Sequence, residues 1–129
     1  MKEHEDAVRQ YLAERGWDNL RPGDLAKSIS IESAELLELF QWTNPSLEEV
    51  KADTEKLEAI KKELADVLIY CLDMSVLLGL DTGEIITKKL QKVREKYPAD
   101  LFKKLESESE AGAEEVYWQI KKESRMKGE

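Results

Sequence analysis

The sequence is poor in the residues that mark several protein classes. A single cysteine, Cys71, excludes an internal disulfide and fits a reducing compartment, and it is expected in the core because it lies in an apolar run. Only three prolines and six glycines interrupt the 129 residues. Glu, Lys, Leu and Ala are plentiful instead, which is typical of helical proteins. The chain is long enough for one domain with a core of its own.

Clusters of positive charge and long apolar segments are lacking as well. The formal net charge is -8 and basic residues are interleaved with acids, which argues against a nucleic-acid polymer as partner. A small anionic substrate therefore needs a bridging cation. The longest apolar stretch, residues 67–80, contains Asp73 and Ser75 and is too short to span a membrane. Since no apolar secretory segment follows Met1, we expect a soluble cytoplasmic protein.

Breaking and capping residues divide the chain into helices. No alternating β-type pattern of any length is present, so the expected fold class is an all-α helical bundle, followed by a helical tail from Ala99. The first predicted helix ends at Gly16, and the second runs from an N-cap at Asp24 to Thr43–Pro45. The third runs from Ser46 to Gly79 with a break near Asp53, and the fourth runs from Asp81 to Tyr97.

Two glutamates of the second predicted helix point towards its apolar side. At about 100° per residue, Glu32 falls in the middle of the apolar arc, and Glu35 falls at its edge beside Trp42. Glu38 points towards solvent. The apolar arc consists of Leu25, Ile29, Leu36, Leu39 and Phe40.

The third predicted helix repeats this arrangement, with Glu63 central on an apolar face and Asp66 on its flank. Each helix thus projects two acids at spacing i, i+3 from one side. Converging ionised carboxylates in an apolar interior repel one another and are costly to desolvate, and a divalent cation is the simplest remedy. Oxygen ligands alone favour a hard cation, Mg²⁺, with Mn²⁺ as a substitute. The apolar face consists of Ile60, Val67, Tyr70, Cys71 and Met74.

Other interpretations of these acids stand beside the metal site. Glutamates at this spacing also occur on solvated helix surfaces, and buried acids can pair with lysines such as Lys27, Lys61 or Lys62. A ferritin-like di-iron centre is excluded, because it needs a histidine on each of two helices and the single histidine is His4.

The motifs around the acids resemble those of the MazG-like all-α nucleotide pyrophosphohydrolases, and among them the dCTP-pyrophosphatase-like branch. The resemblance covers about residues 5–98. It implies a MazG-like four-helix-bundle core in residues 1–98, a C-terminal helical extension in residues 99–129, and a homo-oligomer, either a dimer or a dimer of dimers. The motifs that carry it are ERGW (14–17), PGDLAKS (22–28), ESAELLELFQW (32–42) and KELADVLIY (62–70).

The resemblance also implies an Mg²⁺-dependent hydrolase that cleaves a nucleoside triphosphate between its α and β phosphates. The expected substrate is a surplus or non-standard pyrimidine deoxynucleotide such as dCTP. The implied metal ligands and catalytic residues are Glu32, Glu35, Glu63 and Asp66, among which the general base is not singled out; Glu35 is the candidate because it lies at the edge of the arc. The implied substrate contacts are Trp17 and Trp42 for the base, Tyr70 for a sugar or base edge, and Lys89 and Lys96 for phosphates.

One motif of the family is incomplete here, since Val93 stands where the family commonly has Asn. This departure leaves the substrate more open than the reaction class. A related dUTP or phosphoribosyl-ATP pyrophosphohydrolase is one alternative, and a non-catalytic nucleotide-binding or dimerisation module is another. As alternatives to substrate contacts, Trp17 and Trp42 could pack in the core or in a subunit interface. Tyr70 could be a buried tyrosine whose hydroxyl bonds within the protein.

Overall fold

All regular secondary structure in the described part of the protein is helical, which confirms the all-α fold class. The computed structural model describes residues 1–108 and 110–129, and it does not describe the side chains of residues 106–111. No strand occurs in those residues. The helices are α1 (Lys2–Glu14), α2 (Pro22–Glu38), α3 (Leu47–Ala52), α4 (Thr54–Leu77), α5 (Thr82–Lys96), α6 (Ala99–Glu108) and α7 (Glu110–Met126).

Two compact units make up the chain, Met1–Gly83 and Glu84–Glu129. In the first unit, α1, α2 and α3 each pack against the long helix α4, which is therefore its central element. The second unit contains most of α5 together with α6 and α7, and α6 packs against α7. The division between the units falls near the start of α5, whereas the sequence motifs place a domain boundary at residue 98. That boundary stays a prediction.

The predicted break between α3 and α4 is present, and a side chain caps each of these helices. The hydroxyl of Ser46 accepts a hydrogen bond from the backbone N–H of Glu49 at 3.2 Å. The carboxylate of Asp53 accepts one from the N–H of Lys56 at 3.0 Å. Each cap satisfies a donor that the start of a helix leaves unpaired. The long third helix of the sequence pattern is thus two helices separated by Asp53.

Both ends of α2 differ from the sequence prediction. The helix begins at Pro22, with Arg21 rather than Asp24 as N-cap, because the fixed φ of proline suits the first helical position. It ends at Glu38, four residues before Trp42. The ammonium of Lys56 donates a hydrogen bond to the carbonyl of Leu39, which supplies that carbonyl with a partner from α4. Trp42 therefore lies outside the helix, and helical periodicity does not place it beside Glu35.

The predicted C-terminal cap at Gly79 is confirmed. Gly79 has a φ of 69°, a left-handed conformation that glycine adopts without steric cost. The N–H of Gly79 donates to the carbonyl of Val76 at 3.1 Å, and that of Leu80 donates to the carbonyl of Ser75 at 2.9 Å. These two bonds form a Schellman motif, which satisfies the last carbonyls of α4 and ends the helix sharply.

Few apolar side chains are fully enclosed by this one chain. Among the described residues the buried apolar side chains are Leu12, Leu25 and Val76. The prediction that Cys71 lies in the core is wrong, because its side chain is exposed. Apolar side chains occur on several sides of α4, so periodicity alone does not show which side the chain buries. None of the described helices combines the length and apolar character that crossing a membrane takes.

Candidate active site

The four acids expected at the site lie on two helices that pack against each other. Glu32 and Glu35 lie on α2, and Glu63 and Asp66 lie on α4. The contact between α2 and α4 is the most extensive between helices in the described residues. Because a spacing of three residues keeps both members of a pair on one side of a helix, the two pairs can meet where α2 and α4 pack.

Three of these acids converge. One carboxylate oxygen each from Glu32, Glu63 and Asp66 lies within 4.8 Å of the others. All three residues are half-buried. Glu35 is exposed, and its side chain forms a hydrogen bond with that of Glu32. The structure therefore brings three of the predicted ligands into one cluster and places the fourth in contact with one of them.

The surroundings of Glu32 favour its protonated form. Burial raises the pKa of its carboxyl group, and the hydrogen bond with Glu35 raises that pKa further. The negative charges of Glu35, Asp66 and Glu63 act in the same direction. The cluster thus carries excess negative charge that the protein itself does not neutralise, which is the condition in which a bound cation is most favourable.

Two oxygen atoms of the cluster have no partner. Glu32 Oε2 and Glu63 Oε2 are buried and accept no hydrogen bond from any described residue, although buried polar atoms are nearly always paired. A ligand set made only of carboxylate oxygens fits a hard divalent cation such as Mg²⁺ or Mn²⁺. The two unpartnered oxygens of Glu32 and Glu63 are therefore free to bind such a cation.

Neighbouring lysines neutralise little of the negative charge of the cluster. Lys27 pairs with Asp24 at 3.4 Å, and Lys61 pairs with Glu58 at 2.7 Å, so both point to acids outside it. Only Lys62, of the three lysines considered, approaches the site. Its ammonium lies 3.6 Å from Glu63 Oε1, and its side chain is mostly exposed. An exposed ion pair contributes at most about 1 kcal/mol, which leaves most of the charge uncompensated.

Comparison with known proteins identifies the family. The model of the MazG-like family matches residues 27–111, a segment that contains all four acids. The chain belongs to the MazG-like family. The sequence motifs of the acids therefore predicted the family correctly.

Relatives of this MazG-like chain include dCTP pyrophosphatase 1 of Mus musculus and of Homo sapiens. Each is 31% identical, over 102 and 94 residues respectively, and each match covers 71% of this chain. The chain spans only about half of these relatives, 55% of their length. A solved pyrophosphatase of Archaeoglobus fulgidus is 41% identical with a TM-score of 0.66, and the match covers 76% of this chain and 92% of that one. The dCTP-pyrophosphatase-like resemblance is thereby confirmed.

The three aromatic residues that the MazG-like motifs assign to the nucleotide all lie in the first unit. Trp17 follows the end of α1, is exposed, and meets Tyr11 edge to face with 5.9 Å between ring centroids. Trp42 is 87% exposed, which rules out a core position within this chain. Tyr70 is half-buried on α4, one turn beyond Asp66. The family match includes Trp42 and Tyr70 but not Trp17.

The two predicted phosphate contacts, Lys89 and Lys96, lie on α5 in the second unit. Both line a cavity between α5 and α7, and Val93 lies between them on the same wall. The ammonium of Lys96 also lies 5.3 Å from the centre of the Tyr97 ring, a cation–π contact. The two lysines therefore share one surface of α5.

Sequence reasoning missed Lys56, which holds the segment that leads to Trp42. Besides bonding Leu39, its ammonium lies 4.9 Å from the centre of the Phe40 ring. Residues 43–45 and Lys56 line a common groove with Glu49 and Val50 of α3 and with Asp53. No periodic pattern connects Lys56 with a carbonyl 17 residues earlier, so the sequence carries no signal for this contact.

Proposed function

We propose that this MazG-like chain is a Mg²⁺-dependent nucleotide pyrophosphohydrolase that converts a nucleoside triphosphate to a monophosphate and pyrophosphate. The observation that carries the proposal is the convergence of Glu32, Glu63 and Asp66, with two buried oxygens left unpartnered. The names of the relatives, dCTP pyrophosphatase 1 and a pyrophosphatase, support the same reaction class.

The four acids divide into holding and proton-accepting roles. Glu32, Glu63 and Asp66 hold Mg²⁺, or Mn²⁺ in its place. When bound, the cation neutralises phosphate oxygens and lowers the pKa of water. Glu35 is exposed beside Glu32 and is our candidate for the general base, because its carboxylate is reached by solvent yet contacts the cluster. Most of the rate then comes from positioning and charge neutralisation, as in phosphoryl transfer generally.

The remaining predicted residues orient the nucleotide. Trp17 and Trp42 stack on the base with exposed indole rings, and Tyr70 bonds a sugar or base edge. Lys89 and Lys96 neutralise phosphates. Trp42 lies on a short segment outside α2, which the Lys56 contact anchors, so its ring can be presented without belonging to the core.

The substrate is a pyrimidine deoxynucleotide such as dCTP, removed when surplus or non-standard, and the reaction takes place in the cytoplasm. The names of the curated relatives support dCTP. Val93, in place of the usual Asn, leaves the sugar or phosphate contact to another residue. A dUTP or phosphoribosyl-ATP substrate remains the alternative within the enzymes, and a substrate panel separates the two.

A second copy of the chain completes the fold. On α4, Leu64, Leu68 and Ile69 are exposed, and large exposed apolar surface in one chain marks an interaction site. We therefore expect a homodimer or a dimer of dimers. Light scattering coupled to gel filtration measures the mass directly, and a monodisperse 14.9 kDa species would contradict this part of the proposal.

The decisive experiment is pyrophosphate release from a panel of ribo- and deoxynucleoside triphosphates, with Mg²⁺ and with EDTA. Glu63→Gln keeps the shape of the side chain and removes one charge, and Glu38→Gln is the matched control because Glu38 is exposed and outside the cluster. We expect metal-dependent release that the first substitution abolishes and the second preserves. Absence of release from folded, oligomeric protein would favour a non-catalytic nucleotide-binding or dimerisation module.

A further inference from the structure

A second site candidate lies wholly within the second unit. The second half of α5, the last turns of α7 and the residues after α7 line an open cavity of about 610 Å³, within the usual range of small-molecule pockets. Its wall is rich in ammonium groups, and α7 lies mostly beyond residue 111, where the family match ends. The lysines of the wall are Lys89, Lys92, Lys96 and Lys127.

Ser124 is the residue of this cavity that lacks a partner. It lies on α7, is only 5% exposed, and its hydroxyl oxygen Oγ is buried without a hydrogen bond. A helical serine can point its hydroxyl to solvent or donate to the carbonyl four residues earlier, and the hydroxyl of Ser124 does neither. A buried hydroxyl without a partner is uncommon and costly, so it indicates a ligand that the protein does not itself supply.

The lysines around Ser124 are not neutralised by neighbouring acids. Ion pairs involving any of the four are absent among the described side chains. Glu123 stands four residues before Lys127, a spacing that favours an ion pair, yet its carboxylate accepts a hydrogen bond from Gln119 at 3.3 Å. Glu95 and Glu129 also line the wall, which therefore holds four ammonium groups and three carboxylate side chains.

Lysines near a helix C-terminus often serve only to complement the helix dipole. That role is already filled at the end of α7, because the N–H of Glu129 donates to the carbonyl of Ser124 at 3.0 Å and the N–H of Gly128 donates to that of Arg125 at 3.2 Å. The ammonium of Lys127 is therefore not needed to satisfy the carbonyls at the end of α7.

We propose that this cavity binds a phosphate-bearing anion, with the Ser124 hydroxyl donating to a phosphate oxygen and Lys92 and Lys127 neutralising its charge. Several separated ammonium groups suit a di- or triphosphate better than a single carboxylate. Lys89 and Lys96 complete the wall, so α7 adds ligands of its own to lysines that the family motifs already assign to phosphates. The proposal does not require that the chain hydrolyses a nucleotide.

The test is calorimetric titration of the full chain with inorganic pyrophosphate in EDTA, a condition in which the acidic cluster repels the anion. Ser124→Ala and Lys127→Gln are compared with Lys122→Gln, which removes the same charge from an exposed position of α7 outside the cavity. We expect saturable binding to the unmodified chain and no change for the control. The first two variants should bind roughly tenfold to hundredfold more weakly, as for loss of one contact to a charged group.

Thermal melting keeps the serine variant interpretable. Alanine is the best helix former, so Ser124→Ala should fold at least as well as the parent. Absence of saturable binding by the parent chain would overturn the proposal. Equal affinities for Ser124→Ala, Lys127→Gln and the control would overturn it too, because the lysines would then act only as surface charge.

Nucleotide kinetics on the same variants identify the source of the phosphate. A KM that rises in parallel with the pyrophosphate Kd means that the cavity holds the phosphates of the substrate or of the released pyrophosphate. A raised Kd with unchanged KM means that it holds a separate phosphate compound. Both results retain the anion site, and a chain without hydrolytic activity would still give the titration result.

Discussion

The acidic cluster should make the cation-free protein less stable than a variant that lacks one of its charges. Oxygens of Glu63 and Asp66 lie within 4.8 Å of each other. At this distance two like charges repel by about 0.9 kcal/mol in a water-like dielectric and by about 3.5 kcal/mol at an effective dielectric of 20. The side chain of Glu63 is only 15% exposed, so the effective dielectric is below that of water.

Glu63→Gln removes this repulsion and also removes the contact with Lys62. That contact involves an exposed lysine and contributes at most about 1 kcal/mol. The difference is a net stabilisation of about 1 kcal/mol in EDTA, which raises Tm by about 3–5 °C for a chain of this size. The sign is unusual for a change at a half-buried residue, because most such substitutions destabilise.

In contrast to its higher Tm in EDTA, the variant should gain less stability from Mg²⁺ than the parent chain does. A cation at 100 times its Kd stabilises the folded parent chain by about 2.7 kcal/mol, and the variant should lose most of that gain. The assay is thermal melting followed by circular dichroism, in EDTA and with increasing Mg²⁺, with Glu38→Gln as control. A variant that melts below the parent in EDTA would refute the reasoning, because Glu63 would then be a structural partner rather than one of several repelling ligands.

Three further predictions concern other parts of the first unit. Burial raises the pKa of Asp73, so the folded state holds its proton more tightly than the unfolded state does. The contribution of Asp73 to stability therefore falls as pH rises from the ordinary pKa of an aspartate through the raised one. Asp73→Asn should increase the free energy of unfolding at neutral pH by about 1 kcal/mol at most, and the accompanying rise in Tm should shrink in melts at acidic pH. Gly79→Ala should lower the free energy of unfolding by about 1 kcal/mol in chemical denaturation, because a φ of 69° is unfavourable for alanine. The added Cβ itself meets no atom within 4 Å. An unchanged denaturation midpoint would show that the turn relaxes. Trp42→Ala should leave Tm and oligomer mass unchanged, since the side chain is 87% exposed, while raising KM roughly tenfold through lost base stacking; a falling oligomer mass would assign Trp42 to a subunit interface instead.

The parts of the site that depend on local spacing could be predicted from sequence. Glu32 and Glu63 lie three residues before a second acid, and this spacing places each pair on one side of its helix wherever the helix packs. The caps at Ser46 and Gly79 are local as well, because each is decided by the conformation of a few adjacent residues. Such features persist whichever way the helices are arranged.

The parts that the sequence did not reveal depend on contacts between distant residues. The end of α2 is set where Lys56, 17 positions later, reaches the carbonyl of Leu39, and helical periodicity alone predicts that α2 continues to Trp42. The exposure of Cys71 has a similar cause, since apolar residues on several sides of α4 leave its buried side to be chosen by packing partners. The cavity around Ser124 is lined by residues of both α5 and α7, which no local pattern of the sequence brings together.

Two kinds of buried carboxylate in the same chain show why convergence matters more than burial. Asp73 is 5% exposed with an unpartnered oxygen, and burial alone raises its pKa, so a proton is the simplest way to neutralise it. Glu32 and Glu63 also carry unpartnered buried oxygens, but a third acid lies within 4.8 Å of both. Three oxygens at that separation can share one divalent cation, which a lone carboxylate cannot bind firmly. A buried acid by itself therefore indicates a titrating group, and only the converging set on α2 and α4 indicates a metal site.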